Sequence, residues 1–228
     1  MPLLALFDVD GTLFLTHDAR SGEALRKTLV EEYGVALPAD PVDRIDHRGR
    51  TALRIAREVL RGADLDDAAI DDRLPAWCAR FAASYLELLA GADTSRWQAA
   101  PGAADALARL DHGGVRLALL TGNPEPMARA RMERLGLARF FPRGQGAFGC
   151  DAEERSELIE LARERAGKWP DAGTVAIGDT NRDVEGARES GIRSIAMPSP
   201  TSTDSLAGAD AVCDDLDEVA TTLLAWAG

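Results

Sequence analysis

Asp8-Val9-Asp10-Gly11-Thr12 holds two carboxylates at i and i+2, directly after the apolar run Leu3 to Phe7. Where a buried strand ends, that spacing sends both acids to one side, and Gly11 permits a turn tight enough for backbone and ligand to approach. An aspartate pair so placed can hold a hard cation through oxygen, attack a phosphorus centre, or move a proton. An isolated D-x-D-G also reads as a surface loop whose Asp caps the next turn. The rest of the chain has to decide.

Other predicted strand ends supply the context. Thr121-Gly122-Asn123 follows the apolar run Val115 to Leu120 and offers a hydroxyl and backbone N–H groups suited to a phosphate. Gly178-Asp179-Thr180-Asn181-Arg182-Asp183 follows Thr174 to Ile177, with Asp183 one helical turn beyond Asp179. Taken singly, Thr121 also fits a cap and Asp179 an N-cap; their joint occurrence behind apolar runs is what local roles do not explain. In a parallel sheet these groups gather along the C-terminal edge, where open α/β sheets bind ligands.

The elements that must position them follow from the same runs. Leu3–Asp8, Val115–Leu120, Thr174–Ile177, Ser194–Met197 and, more weakly, Ala211–Cys213 read as buried strands. With helical patterns between them, they predict a doubly wound, mostly parallel Rossmann-like α/β sheet of about five strands. After Cys150, Asp151 is expected to cap a helix and Glu154 to close a capping box, with Leu158, Ile159, Leu161 and Ala162 as the apolar stripe and Arg155 in the first turns. Between about Asp18 and about Trp97 the stretches Glu23–Tyr33, Thr51–Arg61 and Pro75–Ala90 are helical, with no strand between them. The expected organisation is an α/β core of residues 1–15 and 98–228 carrying an all-helical insertion of residues 16–97. Trp77, Phe81 and Tyr85, at helical spacing, read as the insertion's core, and Pro198 to Ser205 as a loop.

Composition narrows the partners. The chain has 228 residues, 46% hydrophobic and 28% charged, which suits a globular protein with a sizeable core and excludes disorder, collagen and coiled coil. A net charge of −12 without a basic cluster argues against nucleic acid or an anionic membrane as partner. No apolar run reaches transmembrane length, and Met1–Phe7 is too short for a signal h-region, so a cytoplasmic, unprocessed protein is expected. Cys78, Cys150 and Cys213 are far apart, without a C-x-x-C pair, and are expected to be reduced thiols, with Cys150 packing as a small apolar residue. His17 reads as an exposed linker histidine.

These motifs together resemble the haloacid dehalogenase-like (HAD) hydrolase superfamily. Asp8 to Thr12 followed by Leu13 is similar to its first motif, Leu119-Leu120-Thr121-Gly122-Asn123 to its second, and Gly178-Asp179 through Asp183, continuing to Gly191, to its fourth. The helical insertion matches the family's cap in position and length. The resemblance implies a phosphatase for a small phosphorylated metabolite, with Asp8 as nucleophile, Asp10 as acid and base, and Thr121, Gly122 and Asn123 on the phosphate. It implies Mg²⁺ on Asp8, the Asp10 backbone carbonyl and Asp179, with Asp183 steadying the site. Asp10 separates this chain from the family's dehalogenases, whose halide leaving group needs no proton.

The third motif departs from the family pattern, which commonly places a lysine beside the nucleophile. Arg155 stands in the helix-start context and can bind a phosphate oxygen and a carboxylate together; Lys168, before the strand leading to Asp179, competes for the role. His47-Arg48-Gly49-Arg50-Thr51 is reminiscent of a cap segment that faces the site, which implies Arg48 or Arg50 on a second anionic group; as helix-start charges they would face solvent instead. A phosphomutase of the same superfamily, or a binding protein that keeps the fold without catalysis, are the alternatives. The motifs leave the substrate and the oligomeric state open.

Overall fold

The computed structural model describes residues 2–43, 45–199 and 205–228. Six strands, β1 (Leu4–Phe7), β2 (Arg116–Thr121), β3 (Ala147–Phe148), β4 (Thr174–Gly178), β5 (Arg193–Ala196) and β6 (Ala211–Val212), form one sheet in the order β3-β2-β1-β4-β5-β6. Every pairing is parallel. The strand beyond the five foreseen is β3, whose two residues are too short to stand out as an apolar run.

β1 is central, and all four of its residues are buried because helices cover both faces. Alternation sends Leu4 and Leu6 to one face, where they pack with Leu158, Ile159 and Ala162 of α7 (Arg155–Arg165) and Ala187 of α8 (Asn181–Glu189). Ala5 and Phe7 face the other way, against Leu107 and Leu110 of α5 (Ala103–His112) and Val219 and Leu223 of α9 (Leu216–Ala227). α6 (Glu125–Arg134) follows β2. In register, Phe7 lies opposite Leu119 and Ile177, so the three central strands end almost level and their following residues share one edge.

Residues between β1 and β2 contribute α1 (Ala19–Tyr33), α2 (Ala52–Arg61), α3 (Asp67–Asp71) and α4 (Leu74–Ala90), and no strand among the described residues. Asp18 and Thr51 cap α1 and α2 through their side chains, which fixes where each helix begins. These helices have their own apolar cluster around Leu25, Leu29, Leu60, Trp77, Phe81 and Tyr85, with Trp77 stacked on Phe81 at 5.1 Å. Met127 of α6 enters this cluster from the sheet side, so the two cores touch.

Two local expectations are corrected. α7 begins at Arg155 with Glu154 at its N-cap, and no side-chain cap bond forms; the Asp151 carboxylate is engaged instead by the Phe148 N–H at 2.9 Å and by Arg165 at 2.7 Å, closing the turn after β3. The reading of three reduced thiols also fails. Cys78 of α4 and Cys150, after β3, are joined by a disulfide across 72 positions, and only Cys213 is a free, buried thiol. No spacing pattern could announce this pair, because docking of α4 onto the sheet unit is what brings the sulfurs together. Residues 200–204 of the predicted loop lie outside the described residues. No described helix is long and apolar enough to cross a membrane.

Candidate active site

Asp8 follows β1 directly, is 6% exposed, and donates its N–H to the Ile177 carbonyl, which ties it to the neighbouring strand. The chain then turns through Gly11 at φ +84°, where a side chain would be strained and its Cβ would collide with the Asp179 carboxylate. Gly178 is constrained in the same way: a Cβ there would collide with the Asp183 carboxylate. The two glycines thus let three acids from two strand ends approach. Asp8, Asp179 and Asp183 each offer an oxygen within 4.8 Å of the others, and all three are buried.

One cation is sunk among them. Arg155, the first residue of α7 and 7% exposed, places Nη2 3.0 Å from Asp8 Oδ1 and also pairs with Asp183. It donates to the Leu120 carbonyl at 3.3 Å and to the Gly49 carbonyl at 3.1 Å, which fixes the fork on both sides. Burial works against its charge, but Asp183 and Asp8 more than offset this, and its pKa is raised. Asp183 also starts α8, because its other oxygen accepts from Thr180 N and Oγ1 at 3.0 and 2.6 Å in a capping box. Lys168 lies past the end of α7, beside a surface groove with Glu160, Arg163, Glu164 and Trp169.

The charge balance is incomplete. Burial pushes the Asp8 carboxyl well above the usual range; Arg155 opposes that, and Asp183, Asp179 and Asp10 add to it. Asp179 is pushed up to about 7 by burial and then by Asp183, with Arg48 partly opposing. Its Oδ1 is buried without a hydrogen-bond partner, a costly state for a carboxylate oxygen. An all-oxygen cluster with an orphaned buried oxygen and more acids than bases fits a hard divalent cation. These residues could hold a metal.

Thr121 ends β2 and is 1% exposed; its Oγ1 accepts from Asn123 N at 3.3 Å and Asn123 Nδ2 at 3.0 Å, leaving its own hydrogen to donate. The Asn123 amide also donates to Asp10, whose carboxylate is half-exposed. Over this edge sits the N-terminus of α2: Ala52 N donates to the Gly122 carbonyl at 2.8 Å and Leu53 N to the Gly149 carbonyl at 3.0 Å. A Cβ on Gly122 would strike the Arg50 carbonyl oxygen. Arg48 brings Nη2 to 3.7 Å from Asp179, whereas the Arg50 guanidinium pairs with Glu58 of α2. His17 is exposed. Sequence reasoning passed over Arg131 of α6, 2% exposed, which donates to both Asp10 oxygens at 2.7 and 2.9 Å. Nothing in its spacing distinguishes it from Arg129 and Arg134 nearby.

A family model described as haloacid dehalogenase-like hydrolase matches residues 3–191. The chain belongs to the haloacid dehalogenase-like hydrolases. This HAD-like hydrolase is 34% identical to the phosphoglycolate phosphatase of Rhodospirillum rubrum over 94% of the chain and 88% of that protein. Among solved structures it is similar to CbbY from Rhodobacter sphaeroides in complex with phosphate, at 27% identity and a TM-score of 0.69, with 96% of each chain covered. It shares its fold with a putative beta-phosphoglucomutase from Bacteroides vulgatus, at 20% identity and a TM-score of 0.65, over 99% of this chain and 90% of that one. The hydrolase is a HAD-like phosphatase.

Proposed function

We propose that this hydrolase cleaves a small phosphorylated metabolite in two steps through an aspartyl phosphate on Asp8. The observation that carries the reading is the buried Arg155–Asp8 pair, 3.0 Å apart, on the sheet edge that also bears Thr121 and Asp179. An Asp8 oxygen attacks phosphorus, the ester P–O bond breaks, and Asp10 delivers a proton to the leaving oxygen. Asp10 then takes a proton from water as that water attacks phosphorus and inorganic phosphate leaves with Asp8 restored. Arg155, the Thr121 hydroxyl and the N–H groups of Gly122 and Asn123 bind the phosphoryl oxygens. Mg²⁺ would be held by Asp8, the Asp10 carbonyl and Asp179, with Asp183 behind them. When bound, it supplies positive charge that lets the acids and the phosphate share one site.

The helical residues 16–97 serve as a cap over the α/β core of residues 1–15 and 98–228. The cap, tied to the core by the Cys78–Cys150 bond, excludes bulk water where it docks through the Ala52 and Leu53 N–H groups. Arg48, already beside Asp179, is the cap residue placed to meet a second anionic group of the substrate. Phosphoglycolate, which carries such a carboxylate, is the first substrate to try, since the Rhodospirillum rubrum relative is named for it.

The test is release of inorganic phosphate from a panel of phosphorylated metabolites with Mg²⁺, by the native chain and by Asp8→Asn. Turnover that is lost on chelation and absent from Asp8→Asn is expected; turnover retained by Asp8→Asn overturns the reading. An isomerised sugar phosphate in place of free phosphate would mark a phosphomutase, and no turnover on any substrate a binding protein.

A further inference from the structure

Arg131 is a core-helix cation placed where no catalytic motif lies. It stands on α6, faces away from solvent, and has partners from both parts of the molecule. From the sheet edge, its Nη1 donates to Asp10 Oδ1 and Oδ2 at 2.7 and 2.9 Å and to Asn123 Oδ1 at 3.2 Å. From the helical residues, its Nε donates to the Tyr85 hydroxyl at 3.2 Å and its Nη2 to Ser21 Oγ at 3.3 Å, and Asp18 lies 3.8 Å away. Its guanidinium lies over Phe14 and Tyr85, at 5.0 and 5.4 Å from the ring centroids. Tyr85 in turn donates to Asp18 at 2.7 Å, and Asp18 is the N-cap from which α1 starts.

A guanidinium this buried must have its charge and its donors met within the fold. Here the Asp10 carboxylate meets the charge on one side and Asp18 on the other, while the rings hold the fork in plane. Asp10 itself is half-exposed and has few fixed contacts besides Arg131 and the Asn123 amide. Its oxygens therefore point where Arg131 holds them. Arg131 in turn is held by Tyr85 and Ser21, which belong to the helices that must dock over the site.

We propose that Arg131 is the positioning residue for Asp10, and that Tyr85 and Ser21 make this positioning depend on docking of the helical residues. The proton-transfer group is then in place only when the site is covered. The proposal rests on the reading of Asp10 as acid and base. No bond beyond those of that reading is made or broken; Arg131 acts through Asp10, to which it donates.

The experiment compares kcat/KM for an alkyl phosphate and for p-nitrophenyl phosphate. An alkoxide needs the proton Asp10 delivers, whereas p-nitrophenolate leaves without it, and kcat/KM reports the step in which the ester bond breaks. In Arg131→Met, kcat/KM on the alkyl ester should fall by about 100-fold or more and on the aryl ester by less than about 10-fold, the same pattern as Asp10→Asn. Arg131→Lys should recover part of the alkyl activity, since charge returns without the fork. Tyr85→Phe, which keeps the ring and removes only the hydroxyl's bonds to Arg131 and Asp18, should shift the alkyl-to-aryl ratio in the same direction by a smaller factor. Equal losses on both esters in Arg131→Met would make the role merely structural and overturn the proposal, as would an unchanged ratio in Arg131→Lys and Tyr85→Phe. If Asp10→Asn itself fails to separate the two esters, the acid–base reading falls first and takes the proposal with it.

Discussion

Breaking the Cys78–Cys150 disulfide should lower stability by an amount the chain's topology sets. The crosslink spans 72 positions, and closing a loop of that length in the unfolded chain removes about 15 cal/mol/K of entropy, or about 4 kcal/mol at 25 °C. For a chain of this size, about 2–4 °C of melting temperature accompanies each kcal/mol, so Cys78→Ser, or reductant on the native chain, should lower Tm by about 8–16 °C. The position adds a mechanical consequence. Cys78 lies about 18 Å along α4 from the helix's exit at Ala90, so the bond pins the helical unit far from where its chain returns to the core. Thermal unfolding with and without a phosphine reductant measures the first effect, and thiol titration in denaturant counts one free thiol before reduction and three after. Three titratable thiols in the untreated protein, or equal melting temperatures with and without reductant, would refute the crosslink and the reasoning built on it.

Other perturbations test the site. Arg155→Met should cost about 3–5 kcal/mol, because Asp8 and Asp183 lose a buried partner, and should abolish phosphate release, while Lys168→Met stays within about twofold of native turnover; activity kept in Arg155→Met and lost in Lys168→Met would reverse the assignment. Gly122→Ala forces a Cβ onto the Arg50 carbonyl, and overpacking of about 1–3 kcal/mol should lower Tm by about 2–12 °C and kcat/KM by tenfold or more; unchanged kinetics would show that this contact is not needed for turnover. Metal-free protein should lose stability as pH rises from about 4 to about 7. Asp179, at about 7, then keeps in the folded state a proton that the unfolded chain has released, and this contribution is fully present only below the unfolded pKa. Asp8, also raised, adds in the same direction. Asp179→Asn should flatten that slope and abolish the Tm increase given by Mg²⁺ at pH 8; an unaltered slope or an unaltered Mg²⁺ response would count against Asp179 in the metal cluster.

Much of the site was legible because its chemistry sits in contiguous motifs at strand ends. Asp8, Asp10, Thr121 and Asp179 each follow an apolar run, and a parallel sheet can only deliver such residues to one edge. The helices of residues 19–90 announced themselves through periodicity, since their apolar residues have to face one another. β3 did not, because two residues carry no period, and the cap of α7 moved by a few residues because Asp151 had better partners in Arg165 and the Phe148 N–H.

Local order along the chain determined which acids, hydroxyl and glycines could meet, since strand ends and turns are short-range properties of residue type. It could not determine which of many arginines would be buried among them, or which two cysteines would bond. Arg155 and Arg131 resemble in sequence exposed arginines close by, such as Arg165 and Arg134, and Cys78 and Cys150 lie on units that fold separately in pattern. Those choices were made by docking of the helical residues on the sheet edge, where burial leaves a charge or a thiol only the partners that packing brings within a few ångströms.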